Sequence, residues 1–188
     1  QVPEGAGPFS YSPMRGSFVV TKPHNNIIHS SDIWSFGGHS LQEKANLTNN
    51  EDQSRSPDWS PDGNQIAYTQ TNKSASIIMV MNFDGTGKRR LEPFAGFPGA
   101  YDPICGGCDV ERDPVWSPDG TRIAFSSISE HHVPEHDKES YFGSKIFIVN
   151  SDGSDLRQLT NIGVANDLSP RWSPDGKKIL YYSDDDGK

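Results

Sequence analysis

Pro57-Asp-Trp-Ser-Pro-Asp-Gly63 recurs as Pro114-Val-Trp-Ser-Pro-Asp-Gly120 and again as Pro170-Arg-Trp-Ser-Pro-Asp-Gly176. The tryptophans, Trp59, Trp116 and Trp172, lie 57 and 56 residues apart. A seven-residue pattern at that spacing marks a repeat architecture, and the rest of the chain is read inside its period. The sequence after each copy repeats as well: Gln65-Ile-Ala-Tyr-Thr69, Arg122-Ile-Ala-Phe-Ser126 and Lys178-Ile-Leu-Tyr-Tyr182. Short runs rich in β-branched and aromatic residues read as strands. The Pro-Asp-Gly before them is a turn: proline presets φ, aspartate bonds its own backbone, and glycine accepts a positive φ. Trp-Ser, turn and Ile-Ala-Phe therefore make a β-hairpin.

Further along, Ile77-Ile-Met-Val-Met-Asn82 and Ile146-Phe-Ile-Val-Asn150 read as third strands, closed by turns at Asp84-Gly85 and Asp152-Gly153. Lys88-Arg-Arg-Leu91 and Leu156-Arg-Gln-Leu-Thr160 read as fourth strands. One such four-stranded antiparallel unit cannot bury both of its faces. Units packed radially around an axis can, which predicts an all-β chain built as a β-propeller. The full pattern, from Pro-x-Trp-Ser-Pro-Asp-Gly through Ile-x-Val-x-Asn-x-Asp-Gly to Leu-Thr, resembles the TolB-type WD40-like (PD40) propeller repeat over residues 17–188. The resemblance implies a scaffold used for protein binding, as a cap on peptidases or as a lyase frame, and a shared fold alone does not choose among these.

The expected organisation is an extended N-terminal arm over 1–16 and propeller blades over 17–188. Residues 17–50 read as a partial blade: Ser17–Thr21, Asp32–Phe36 and Ala45–Thr48 match strands two, three and four, without a Trp-Ser-Pro-Asp-Gly strand. Residues 57–91 and 114–160 read as full blades. Residues 170–188 supply strands one and two of another. At about 40 residues per blade, a closed ring needs more chain than this. The expectation is an incomplete propeller, completed by further chain or by a second copy that shares blades.

The formal charge is -8, with 25 acidic and 17 basic residues, which argues against general nucleic-acid binding. No apolar run approaches the ~20 residues of a membrane-spanning helix. The chain starts at Gln1, as a mature terminus left by a removed signal peptide or a trimmed chain would. The expected location is periplasmic or extracellular.

Cys105 and Cys108 form a Cys-x-x-Cys in the stretch 92–113. Asp109 follows, where covalent haem attachment needs histidine. A zinc site needs further ligands nearby, and a redox pair needs a helix N-terminus. A local disulfide in an oxidising compartment is the expected reading, with free thiols and a metal as alternatives. Ser129–Ser140 is an insertion between strands two and three of the third unit, holding His131, His132 and His136 among carboxylates. These imidazoles form a candidate divalent-metal site, set against a plain solvated loop.

Blade topology brings the two insertions to one face, because the loop entering strand one and the loop joining strands two and three emerge together. Long loops on a rigid scaffold carry function. The expected binding face therefore comprises Phe94, Phe97, Tyr101, His131, His132 and His136. The aspartates Asp62, Asp119, Asp175, Asp84 and Asp152 are read as turn formers. Asn46-Leu-Thr48 and Asn72-Lys-Ser74 match glycosylation acceptors, and Asp184-Asp-Asp-Gly187 lacks the full calcium-loop pattern. No Gly-x-Ser-x-Gly and no phosphate loop is present. The expected function is a non-catalytic scaffold for a protein partner or other copies, in an envelope or extracellular complex, without cofactor. The alternative is the propeller portion of an enzyme: a cap of a prolyl oligopeptidase-like peptidase, or a lyase whose propeller carries histidine metal ligands.

Overall fold

A computed structural model describes residues 8–23, 30–38, 42–49, 52–71, 76–91, 112–132, 140–160 and 165–184, with the backbone alone between 128 and 142. Among these residues every regular element is a strand. The first sheet orders β1 (Phe9–Ser12), β2 (Ser17–Pro23), β3 (Ser31–Gly37) and β4 (Glu43–Asn46). The second repeats the order with β5 (Gln53–Trp59), β6 (Gln65–Thr71), β7 (Ser76–Asn82) and β8 (Arg89–Arg90). The third has β9 (Arg112–Trp116), β10 (Arg122–His132), β11 (Ser140–Asn150) and β12 (Arg157–Gln158). A last pair joins β13 (Asp167–Trp172) to β14 (Ile179–Ser183). All pairings are antiparallel, and each sheet follows chain order.

One expectation is corrected here. Phe9–Ser12, read as part of an arm, pairs with Ser17–Val20 as the first strand of the first sheet. That sheet therefore has four strands and is a whole unit. The segment was hidden because Phe-Ser-Tyr-Ser lacks the tryptophan and the Pro-Asp-Gly turn that mark the other first strands.

The repeated turn carries out the chemistry its residues suggest. In the first copy the Ser60 hydroxyl donates to Asp62 Oδ1 at 2.6 Å and accepts the Gln65 amide at 2.9 Å. Gly63 takes φ +71° and its amide donates to the Ser60 carbonyl. Ser117 with Asp119 and Ser173 with Asp175 repeat the same 2.6 Å bond, with Gly120 and Gly176 at φ +71° and +67°. These hydroxyl and amide donors hold all three carboxyls below the usual aspartate range, and that of Asp119 at about 2.

The apolar core lies in the seams between sheets. Val19, Ile33 and Leu47 of the first sheet meet Trp59, Ile66, Tyr68 and Met81 of the second. Ala67, Ile78, Val80 and Leu91 of the second meet Trp116, Ile123, Phe125, Phe147 and Val149 of the third. Alternate residues of β6 thus face opposite seams, as the two-residue period of a strand requires. The third seam contains a buried charge: the Lys145 ammonium, fully enclosed, donates to the Ala165 carbonyl at 2.8 Å and lies 3.6 Å from Asp167. The four first strands stand side by side, β1 against β5, β5 against β9 and β9 against β13.

Candidate functional site on the inner strands

The first strand of each unit is its inner strand, and three of these, β5, β9 and β13, carry the same irregularity. Between Arg55 and Asp58 the β5–β6 register slips, so that Ser56 and Pro57 oppose Tyr68 alone. Asp113 and Pro114 oppose Phe125 in the third unit, and Ser169 and Pro170 oppose Tyr181 in the fourth. These are β-bulges, and they account for the proline two residues before each tryptophan: proline has no amide to give to a ladder and is tolerated where the ladder is broken. The residue before each proline is left-handed and is not glycine, with φ +50° at Ser56, +52° at Asp113 and +53° at Ser169. Such conformations are uncommon for residues with a Cβ and cluster where the surrounding structure imposes them for a purpose.

The three bulges meet. The Ser56 hydroxyl donates to Asp113 Oδ1 at 2.8 Å, and the Ser169 hydroxyl lies 3.3 Å from Asp113 Oδ2. A single carboxylate therefore ties three successive units together. A second carboxylate does similar work one step along: Asp58 accepts the Trp116 amide at 2.9 Å and the Ser10 hydroxyl at 3.0 Å. Burial pushes the Asp58 carboxyl up, against the pull of those two donors and of the Arg171 charge. The Trp172 indole donates to the Val115 carbonyl across the third seam, whereas the buried indole N–H groups of Trp59 and Trp116 have no acceptor among the described residues.

Together these strands line a cleft of about 580 Å³. Its walls are apolar, from Pro57, Pro114, Trp116 and Trp172, and its charged groups are Asp58, Asp113 and Arg171. Arg171 is exposed, and its guanidinium donates to the adjacent Pro170 carbonyl at 2.7 Å. A cleft with rigid apolar walls and a few fixed polar groups suits recognition of a partner segment.

Of the residues proposed from the sequence, Phe94, Phe97, Tyr101, Cys105, Cys108 and His136 lie outside the described residues. His131 and His132 stand on β10, their backbones paired with Tyr141 and Ser140, so the insertion begins as an extension of the β10–β11 hairpin instead of as a loop. This extension runs past Ser126, the partner of Arg112, and so leaves the third sheet at the bulged end of β9. Among the described residues no three His, Cys, Asp or Glu side chains are grouped to hold a metal. Asn46 of the first glycosylation match is occupied: its amide donates to Asp32 at 2.7 Å and its carbonyl accepts the Thr48 and Asn49 amides. Asp184 likewise accepts the amide and side chain of Asn166. Sequence reading missed Ser56, Asp113 and Ser169, although they recur at the spacing of the tryptophans.

The chain matches the family model described as the TolB beta propeller domain over residues 15–188. It is 31% identical over 117 residues to the Tol-Pal system protein TolB of Anaeromyxobacter dehalogenans, covering 62% of this chain and 21% of that protein. It is 34% identical over 108 residues to dipeptidyl-peptidase 5 of Aspergillus oryzae, covering 53% of this chain and 14% of that one. A solved TolB-type structure from Agrobacterium tumefaciens superposes with a TM-score of 0.68 at 22% identity, over 97% of this chain and 60% of that one. The chain thus spans no more than 60% of the length of any of these three proteins. With four-stranded antiparallel sheets set inner strand to inner strand and the repeat carried through its last unit, the chain belongs to the TolB β-propeller family.

Proposed function

We propose that this chain is a non-catalytic propeller scaffold that binds a protein partner through the inner-strand cleft, in a periplasmic or extracellular complex. The observation that carries this reading is the Ser56–Asp113–Ser169 ladder. Three left-handed non-glycine residues in register, on three strands, hold the cleft rigid around one carboxylate. Preorganised polar groups in an apolar cleft lower the ordering cost of binding. The relationship to a Tol-Pal system protein supports a partner from an assembly of that kind. The insertion residues Phe94, Phe97, Tyr101, His131, His132 and His136 would enlarge the same surface, and a Cys105–Cys108 disulfide would fix one of its loops.

The test is photocrosslinking with a benzophenone side chain at position 171, inside the cleft, and at Leu159, which is exposed just after the fourth strand of the third unit. One defined protein product from position 171, absent from Leu159 and lost with Asp113→Ala, supports the reading. Equal products from both positions sink it. A second reading, the propeller part of a peptidase, is favoured by the 34% identity to dipeptidyl-peptidase 5. Labelling of the natural full-length protein by a fluorophosphonate, which reacts with activated serines, would establish that reading in place of the first.

A further inference from the structure

The charged groups of the inner strands are unequal in what they have left to offer. The two carboxylates that line the cleft are engaged within the fold. Asp58 accepts the Trp116 amide and the Ser10 hydroxyl, and Asp113 accepts the hydroxyls of Ser56 and Ser169. The cations of the same strands are all arginines: Arg55 on β5, Arg112 on β9 and Arg171 on β13. Among the described residues none of these three guanidinium groups lies within ion-pair distance of a carboxylate. Arg55 donates to the Thr71 hydroxyl at 3.0 Å, and Arg171 to the Pro170 carbonyl at 2.7 Å. Arg112 is exposed, and its guanidinium has no acceptor among the described residues.

The bulges decide where these cations stand. Arg55 and Arg112 immediately precede Ser56 and Asp113, whose 2.8 Å bond holds β5 and β9 side by side at that level. Two like charges therefore flank one end of the cleft on neighbouring strands. Burial and the Arg112 charge push the Arg55 guanidinium down, with Asp113 acting the other way. Arg171 lines the cleft on the other side of the bulge, beside the wall made by Pro57, Pro114, Trp116 and Trp172. In a chain of formal charge -8, this grouping runs against the overall bias. A guanidinium presents a planar fork of donors that takes a carboxylate through two hydrogen bonds, as an ammonium does not.

We propose, on the reading of this cleft as the docking surface, that the partner segment is acidic: an extended stretch of protein whose carboxylates are taken by Arg112 and Arg171, beside the Arg55 charge, and whose apolar side chain lies against the proline and tryptophan wall. Asp58 and Asp113, held by their own donors, tie the strands together, and the arginines select what docks. Complementary charge of this kind sets specificity and the rate of encounter.

The test follows the Trp172 indole resonance, assigned with Trp172→Phe, in proton–nitrogen spectra of the 188-residue chain. Trp172 lines the cleft and its indole donates to the Val115 carbonyl at 3.2 Å, so the resonance reports occupancy. Three peptides blocked at both ends are titrated: Asp-Phe-Asp-Glu, its amide counterpart Asn-Phe-Asn-Gln, and Lys-Phe-Lys-Lys. The expected result is a saturable shift with the acidic peptide, binding about tenfold weaker with the amide peptide, and none with the lysine peptide. Arg112→Gln and Arg171→Gln each weaken the acidic peptide about tenfold, the effect of losing a charged hydrogen bond, and leave the amide peptide unchanged. Arg157→Gln, exposed on β12, alters neither. Equal affinity for the acidic and amide peptides, tighter binding of the lysine peptide, or no shift with any peptide overturns the acidic assignment. The docking surface itself fails by a different result, equal crosslinking from position 171 and Leu159, so the two failures are distinct. Should either arginine variant not fold, the unaltered chain is titrated at rising ionic strength. The affinity of the acidic peptide then falls while that of the amide peptide holds, and an identical response of the two overturns the assignment.

Discussion

The first and second seams are built from the same repeat, yet one holds a cavity beside Ala45 while Arg89 spans the other. They also differ at the centre. Tyr68 occupies the first seam with its hydroxyl buried and without a partner among the described residues, and Phe125 occupies the second at the equivalent place on the second strand. The lesson is that the repeat dictates where the seams run, whereas single side chains decide whether a seam is closed.

Four substitutions and one titration would break or sharpen that contrast. The largest effect is expected from Trp116→Ala, since removing a buried tryptophan costs about 3–5 kcal/mol and Trp116 packs in the larger core cluster, with Phe125 and Phe147. Trp59→Ala removes the same side chain from the smaller core cluster and should fall at the low end of that range. Denaturant midpoints measured side by side check the order, and a larger loss for Trp59→Ala would erase the distinction between the seams. Next, Arg89→Ala opens the second seam and loses one charged donor, at about 1–2 kcal/mol, with an unchanged dependence on denaturant slope. Tyr68→Phe should be neutral or stabilising by up to about 1 kcal/mol, because the buried hydroxyl it deletes has no partner among the described residues.

The smallest effect is a pH dependence common to the three units that carry the Pro-Asp-Gly turn. The turn carboxyls of Asp62, Asp119 and Asp175 have folded values below their unfolded ones. Their contribution is therefore complete above the unfolded value of about 4 and is lost as the pH falls toward the folded values, about 2 for Asp119. Thermal midpoints should fall across that window, and less so in Asp119→Asn. These groups are exposed, so the difference per site is small.

Much of this fold was legible. Trp-Ser-Pro-Asp-Gly states its own turn, because each residue has one conformational task and the strands on either side alternate correctly. The first strand of the first unit was not legible, because Phe9–Ser12 is held by pairing with Ser17–Val20 and by bonds from Ser10 to the second sheet, neither of which leaves a local signature. The inner-strand site was half legible. The prolines at 57, 114 and 170 announced something repeated, but a bulge is a relation between two strands. Ser56, Asp113 and Ser169 become a group only when three sheets are placed side by side. The seam cavity was not legible at all, since it is defined by what Ala45 does not fill.

The central claim is that each seam, rather than each sheet, holds the core, so a second strand is secure only when both of its faces are covered. The sequences Ile66-Ala-Tyr68 and Ile123-Ala-Phe125 are buried, whereas the matching Leu180 and Tyr181 of β14 are 77% and 39% exposed. Native-state hydrogen exchange on the 188-residue chain tests this most directly. The account predicts that amides of β6 and β10 exchange only through global unfolding, while those of β14 exchange faster through local opening. Protection of β14 equal to that of β6 and β10 would contradict it.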